Sequence, residues 1–314
     1  MGGEAAPLFE TPDAPQPASG GAEWFRGADQ ARLRAAIFQP ASASRGSVVV
    51  SPGRTEPIEK YFEVVDKLTT RGFTVLVHDW RGQGLSVRMA SDGRGDARGW
   101  RPFIADYTAL LAAFEHRLPK PWVALGHSMG GCLTLLALAQ GEARFSGAIL
   151  SAPMLGLRTG GIPPLAARGA ARGLTAFGLG SGLATRGADT EAFETNILTH
   201  DPVRYRRNVS QVLAWPQIRV GPPTWGWLDF AFRATAEIER GRGTAAIRLP
   251  LTVAAAGEEQ LVDNLASERV TARVADARFL TIAGAFHEIT QETDALQTLF
   301  WNEFDDLVRR AGVG

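Results

Sequence analysis

Hydrophobic positions fall into two periods along this chain. Leu33 to Phe38 and Ser47 to Ser51, the latter with three consecutive valines, are short apolar runs that predict strands. Ile58, Phe62, Val65 and Leu68 recur at helical spacing within Pro57 to Arg71, and Gly72 supplies a stop signal. Phe73 to His78, Pro121 to Gly126 and Gly147 to Leu150 predict further strands. Between them, Phe103 to Leu118 and Ser128 to Gln140 predict helices. Strands alternating with helices indicate βαβ units and a mostly parallel sheet covered on both faces.

The alternation stops near Ala152. From Pro153 to Arg248, Gly, Pro and Arg are frequent, and no run predicts a strand. Helical patterns occur over Pro164 to Phe177, Asp189 to Phe193 and Gly226 to Arg240. Strands at Leu249 to Ala256 and Arg278 to Ala283, with helices at Ala266 to Val274 and Ala295 to Arg310, then restore the rhythm. The expected organisation is an α/β core of residues 23–152 and 249–314, interrupted by a helical cap over 153–248. Open α/β sheets bind ligands at the carboxyl ends of their strands, so such a cap would roof the site. Residues 1–22, rich in Ala, Pro and Gly, are expected to form a flexible leader.

Composition narrows the function. The 33 basic and 33 acidic residues of this 314-residue chain cancel, leaving no basic excess for nucleic-acid binding. Cys132 is the single cysteine, which excludes an intramolecular disulfide and a cysteine-built zinc site. No apolar stretch approaches the roughly 20 residues of a membrane-spanning helix. A cytoplasmic location, or one peripheral to the inner membrane, is expected.

The chemistry concentrates in Gly126-His127-Ser128-Met129-Gly130-Gly131. A strand precedes this G-x-S-x-G segment and an apolar helix follows, the context of a nucleophile elbow whose sharp turn lifts the serine hydroxyl above the sheet. Ser128 is therefore the expected nucleophile. It needs a general base, and of the five histidines only His287 falls in a loop after the last strand. The acid that orients this base should follow the penultimate strand. Glu259 is favoured there, and Asp263, one helical turn later, is the alternative. Two backbone N–H groups should form the oxyanion hole. Met129 supplies one, and Arg54, in the loop Pro52-Gly53-Arg54-Thr55-Glu56, supplies the other. His127 is expected to pack beneath the elbow.

These segments, with Asp79-Trp80-Arg81-Gly82-Gln83-Gly84-Leu85-Ser86, Leu261-Val262-Asp263-Asn264 and Gly284-Ala285-Phe286-His287-Glu288-Ile289, carry a resemblance. In that order the chain resembles the α/β-hydrolase family of bacterial lysophospholipases and monoacylglycerol lipases. The wider class also holds proline-releasing aminopeptidases, the serine aminopeptidase S33-like hydrolases. The resemblance implies a covered eight-stranded sheet and hydrolysis of a single acyl ester of a small molecule or lipid, without metal or organic cofactor. Many relatives carry His-Gly at Pro52-Gly53, and relatives often carry Asp at Glu259. Asp79 and Arg81 are expected to form a buried structural pair.

The cap is less readable. Trp215, Trp225, Trp227, Phe230 and Phe232 either line an acyl channel or form the cap's own core. Arg168, Arg172, Arg204, Arg206 and Arg207 either meet a lipid phosphate or form a solvated face. The apolar helix Trp227 to Ile238 is a candidate for peripheral membrane contact. An aminopeptidase would need an acidic subsite, for which Asp189, Glu191 and Glu194 are available. A non-catalytic binding protein on the same fold is the remaining alternative.

Overall fold

The computed structural model describes residues 3–185 and 192–313. Its strands form a single sheet. Along the chain they are β1 (Ala5–Ala6), β2 (Gly20–Arg26), β3 (Arg32–Phe38), β4 (Ser47–Ser51), β5 (Thr74–His78), β6 (Trp122–His127), β7 (Phe145–Ser151), β8 (Leu251–Ala256) and β9 (Ala277–Ile282). In space the order is β1-β2-β3-β5-β4-β6-β7-β8-β9. The first three strands are antiparallel to their neighbours, and β4 to β9 are mutually parallel.

The helices are α1 (Phe62–Thr70), α2 (Arg101–Phe114), α3 (Met129–Ala139), α4 (Pro164–Ala176), α5 (Pro202–Ala214), α6 (Trp225–Glu239), α7 (Asn264–Thr271) and α8 (Asp294–Arg310). Side chains on successive strand residues face opposite sides, which splits the interior into two cores. Val48, Val50, Val75 and Val77 pack with residues of α1 and α8. Val49 and Leu76 pack on the other face with residues of α2, α3 and α7. These strands are buried on both sides, which explains why they read as unbroken apolar runs.

From β4 the chain passes to β5 on one side and then to β6 on the other. The carboxyl ends of β4 and β6 therefore lie side by side, with Ser51 in register with Gly126. This is the topological switch point at which open α/β sheets place their sites.

Three expectations change. The sheet has nine strands among the described residues, not eight, because both β1 and β2 join the seven that the apolar runs predict. Residues 3–22 are thus not a free leader. β2 pairs with β3 along its whole length, from Gly20 opposite Phe38 to Arg26 opposite Arg32. A neighbouring strand satisfies the backbone of Gly20-Gly21-Ala22 whatever its weak intrinsic preference. Pro7 accepts a hydrogen bond from Arg34 Nη1 at 2.9 Å, and the Phe9 ring stacks on Trp215 at 4.6 Å. Asp79 and Arg81 are both buried but are not each other's partners. Asp79 pairs with Arg34 at 2.7 Å, whereas Arg81 makes a forked pair with Asp106 at 2.5 and 2.7 Å.

Residues 153–248 add no strand to this sheet among the described residues. Asp201 caps α5 by accepting from the Val203 and Arg204 N–H groups, and Pro202 opens the helix. α6 packs on α3 and α4. Its buried stripe of Trp227, Phe230, Ala231, Ala234 and Ile238 joins the core on the α2–α3 side.

Candidate active site

Ser128 occupies the turn between β6 and α3 with φ 49° and ψ −116°. A non-glycine residue pays roughly 1–3 kcal/mol for such a conformation, so the surrounding packing must impose it. The glycines make that packing possible. A Cβ on Gly130 would stand 2.0 Å from the Ser51 carbonyl oxygen, and one on Gly126 would stand 2.8 Å from Gly131 Cα. The strand, the loop that follows β4 and α3 thus approach at van der Waals distance around Ser128, which itself stays half-buried.

His287 Nε2 lies 2.9 Å from Ser128 Oγ, and its Nδ1 lies 2.7 Å from Glu259 Oε2. Glu259 Oε1 accepts from the Leu261 N–H at 2.7 Å and the Val262 N–H at 3.2 Å. Burial pushes the Glu259 carboxyl up. The hydrogen bond and charge of His287, with those two N–H groups, outweigh it and hold Glu259 below the usual glutamate range. An ionised carboxylate can only accept, so Nδ1 carries the imidazole proton and Nε2 is left to accept from the serine hydroxyl. Asp263 is elsewhere: it is the N-cap of α7, accepting from the Leu265 N–H at 2.9 Å.

Met129 is the first residue of α3, where an amide N–H has no intrahelical acceptor. Among the described residues neither the Met129 nor the Arg54 N–H donates a hydrogen bond. The loop bearing Arg54 is held from behind. Glu56 Oε2 accepts from the Gly53 N–H at 2.5 Å and from the Tyr61 hydroxyl at 2.6 Å. Lys60 Nζ donates to Glu56 Oε1 at 2.8 Å. Burial pushes the Glu56 carboxyl up, and Lys60 and His127 more than reverse this, lowering it to about 2.

His127 packs under the elbow. Its Nδ1 lies 3.1 Å from the Ser151 carbonyl oxygen, and its ring centroid lies 4.9 Å from that of His287. Burial, aided by the charge of His287, lowers it to about 4, so it is neutral at physiological pH. On the far side Glu292 accepts from the Phe286 N–H at 2.8 Å, steadying the loop that carries His287. Arg158 Nη1 donates to the Glu259 carbonyl at 2.5 Å and braces the acid loop. Motif reading passed over Glu56, Lys60 and Glu292. The i,i+4 spacing of Glu56 and Lys60 was the signal available for the first two.

Cap residues divide. Phe230 is fully buried and stacks on Phe103 at 4.9 Å, and Phe232 is buried, so both are core residues that line no open channel. Trp215 is taken up by Phe9 and donates from Nε1 to the Glu10 carbonyl at 3.1 Å. Trp225 is half-buried, and Trp227 lies beneath the Arg54 guanidinium, whose carbon is 5.2 Å from the ring.

Arg204 is bound by Glu63, Asp201 and Asp294, and Arg207 by Glu63 and Gln291, leaving neither for a lipid phosphate. In α6 the side chains of Trp227, Phe230, Phe232 and Ile238 are buried and only Trp225 and Leu228 are partly open, whereas Ile162, Leu165, Phe177 and Leu179, in and beside α4, are exposed. No helix of the described residues is long and apolar enough to cross a membrane. Asp189 and Glu191 lie outside the described residues, and Glu194 is exposed. A cavity of about 610 Å³ bordered by Asp96, Trp100, Arg101, Asp229 and Arg233 has neither Ser128 nor His287 in its wall.

Residues 42–294 match the serine aminopeptidase S33 hydrolase family. The chain is 34% identical over 302 residues to lysophospholipase L2 of Escherichia coli strain K12, covering 91% of this chain and 86% of that one. It is 27% identical over 279 residues to the monoacylglycerol lipase of Mycolicibacterium smegmatis, covering 86% and 91%. A soluble variant of the monoglyceride lipase of Saccharomyces cerevisiae superposes with a TM-score of 0.73 at 20% identity, over 94% of this chain and 98% of that one. That likeness extends to the fold. The strained serine elbow at the sheet's switch point and the match over residues 42–294 agree: the chain belongs to the serine aminopeptidase S33 family of α/β-hydrolases.

Proposed function

We propose that this protein is a serine hydrolase that cleaves carboxylic esters of single-acyl lipids, monoacylglycerol or lysophospholipid, through an acyl-enzyme. The observation that carries this reading is the unbroken line from Ser128 Oγ through His287 to Glu259, at 2.9 and 2.7 Å. The lysophospholipase and monoacylglycerol lipase relatives support the lipid ester as substrate.

In this reading His287 Nε2 takes the Ser128 proton as Oγ attacks the ester carbonyl carbon. The negative charge that develops on the carbonyl oxygen is met by the Arg54 and Met129 N–H groups, already free to donate and so requiring no reorganisation. The tetrahedral adduct collapses, and His287 returns the proton to the leaving glycerol or glycerophospho-alcohol. His287 then deprotonates a water that attacks the acyl-Ser128 ester, releasing fatty acid and restoring the hydroxyl. Glu259 holds the imidazole in the required tautomer throughout. Residues 153–248 act as a cap over the strand ends, and the exposed apolar side chains around α4 meet the lipid surface from which substrate enters.

The test is fatty-acid release by the purified protein and its Ser128→Ala variant from monoacylglycerol and lysophosphatidylcholine, with a proline anilide alongside. Serine-dependent release from either lipid supports the reading. Cleavage of the anilide alone replaces the substrate class with a peptide.

A further inference from the structure

Arg54 offers more than its amide. Its Nη2 donates to the Gly221 carbonyl at 2.5 Å, whereas Nε is completely enclosed and has no acceptor. Trp227, whose ring lies 5.2 Å from the same guanidinium carbon, also has a completely enclosed Nε1 without an acceptor. Two neighbouring residues that each leave a buried N–H donor without a partner are uncommon in a folded interior, where buried donors are nearly always satisfied. The charge is equally unanswered. Buried Arg34 and Lys60 each face two carboxylates, and Arg81 faces Asp106. Arg54 has no carboxylate partner among the described residues, and burial lowers it to about 10, so it remains a cation at neutral pH. Gly95 lets the neighbouring loop close over it, since a Cβ there would stand 2.7 Å from Nη2.

We propose that the Arg54 guanidinium and the Trp227 indole N–H form an anion subsite that takes the phosphodiester of a single-acyl glycerophospholipid. The proposal rests on the lipid-ester reading above and specifies its head group. Position favours this anion. The Arg54 N–H faces the ester oxygen, and an arginine's guanidinium carbon stands about six bonds from its own amide nitrogen. The phosphorus of a 1-acyl glycerophospholipid stands about six bonds from its ester carbonyl carbon, so a substrate lying along the side chain brings phosphate to the guanidinium. A planar fork of N–H donors matches phosphate oxygens, and the indole N–H can only donate. A neutral monoacylglycerol has a hydroxyl at that point and leaves the charge unanswered.

The experiment compares wild type, Arg54→Met, Arg54→Lys and Trp227→Phe on a lysophospholipid and a monoacylglycerol with the same short acyl chain, below their micellar concentrations. The lysophospholipid-to-monoacylglycerol ratio of kcat/KM is expected to fall about tenfold or more in Arg54→Met, chiefly through KM, and about threefold in Trp227→Phe. Arg54→Lys, which keeps the charge without the fork, should fall between wild type and Arg54→Met. sn-Glycerol 3-phosphate should inhibit wild type competitively and Arg54→Met much less.

An equal fall on both substrates makes the side chain a support of the oxyanion loop and overturns the subsite. So does an unchanged ratio. Inhibition by inorganic phosphate as strong as by glycerol 3-phosphate, with the ratio unmoved, assigns the site to a free anion and removes the head group. If wild type hydrolyses no ester, the lipid-ester reading fails, and calorimetric binding of glycerol 3-phosphate still decides the subsite. Loss of that binding in Arg54→Met supports it, and equal binding overturns it.

Discussion

The Lys60 ammonium lies 2.5 Å from Glu288 Oε1, joining the segment before α1 to the residue that follows His287. The same nitrogen reaches Glu56, which holds the Gly53 N–H on the loop that bears Arg54. One buried cation thus ties together the two loops that flank Ser128. Burial opposes its charge, and the two carboxylates more than compensate, raising Lys60 to about 12.

Removing that cation strands two buried carboxylates. Lys60→Met is expected to destabilise the fold by about 3–5 kcal/mol, the range for breaking a buried ion pair from one side. Urea unfolding against wild type measures it. A midpoint within error of wild type would mean that the cluster is solvated and does not brace the loops.

Two acids compete for the role beside His287 when motifs are read, and mutagenesis separates them. Glu259→Gln cannot accept from Nδ1 as a charge and favours the wrong tautomer, so kcat should fall about 10³–10⁴-fold. Asp263→Asn keeps an equally good N-cap for α7 and should stay within about threefold of wild type. Comparable losses in the two variants would remove Glu259 from its special place.

Stability should depend on pH through two buried histidines outside the Ser128–His287–Glu259 line. Burial lowers His78 to about 3, and burial with the His287 charge lowers His127 to about 4, against 6.5 in an unfolded chain. The unfolded state therefore binds more protons below about pH 6.5, and stability rises with pH from about 4 to 6.5 before levelling off. At about 1.4 kcal/mol per histidine per pH unit, unfolding free energies at pH 5 and 7.5 should differ by about 4 kcal/mol. His78→Phe removes a buried Nε2 that has no partner and should roughly halve the difference. A flat profile between these pH values would show that water reaches both rings.

Membrane contact is testable at α4. Leu165 is 82% exposed and Phe177 86% exposed, with Ile162 and Leu179 nearby. The Leu165→Ser, Phe177→Ser double variant should bind phosphatidylglycerol vesicles about tenfold or more weakly, since each replaced side chain contributes roughly 1.5–3 kcal/mol on full burial. Sedimentation with vesicles reads this directly, and unchanged or absent binding would overturn a membrane contact at α4.

Strand and helix order, the elbow at Ser128 and the placing of His287 in a loop after the last strand are legible in the sequence because they rest on local rules. Doubly buried strands such as Val48-Val49-Val50 are continuous apolar runs, and the elbow requires glycines at fixed offsets from the serine. α5 escaped this reading although Asp201-Pro202 is a sound helix start, because the arginines behind it dilute the apolar period.

The remaining decisions are long-range and left no local mark. Gly20 to Arg26 became a strand because β3 lay alongside to pair with it. Asp79 chose Arg34, 45 residues away, over Arg81 two residues on, because the fold buries Arg34 against it and sends Arg81 to Asp106. Phe230 became core rather than channel through the packing of α6 on α3. Glu259 stands at His287 while Asp263 is spent on a helix cap, a difference of one turn at the end of β8. The sequence by itself determined which chemical groups were present and the periods in which they recur. Only the tertiary structure decided which of them meet, because a buried charge or N–H is satisfied by whatever partner the fold brings within about 3 Å, regardless of separation along the chain.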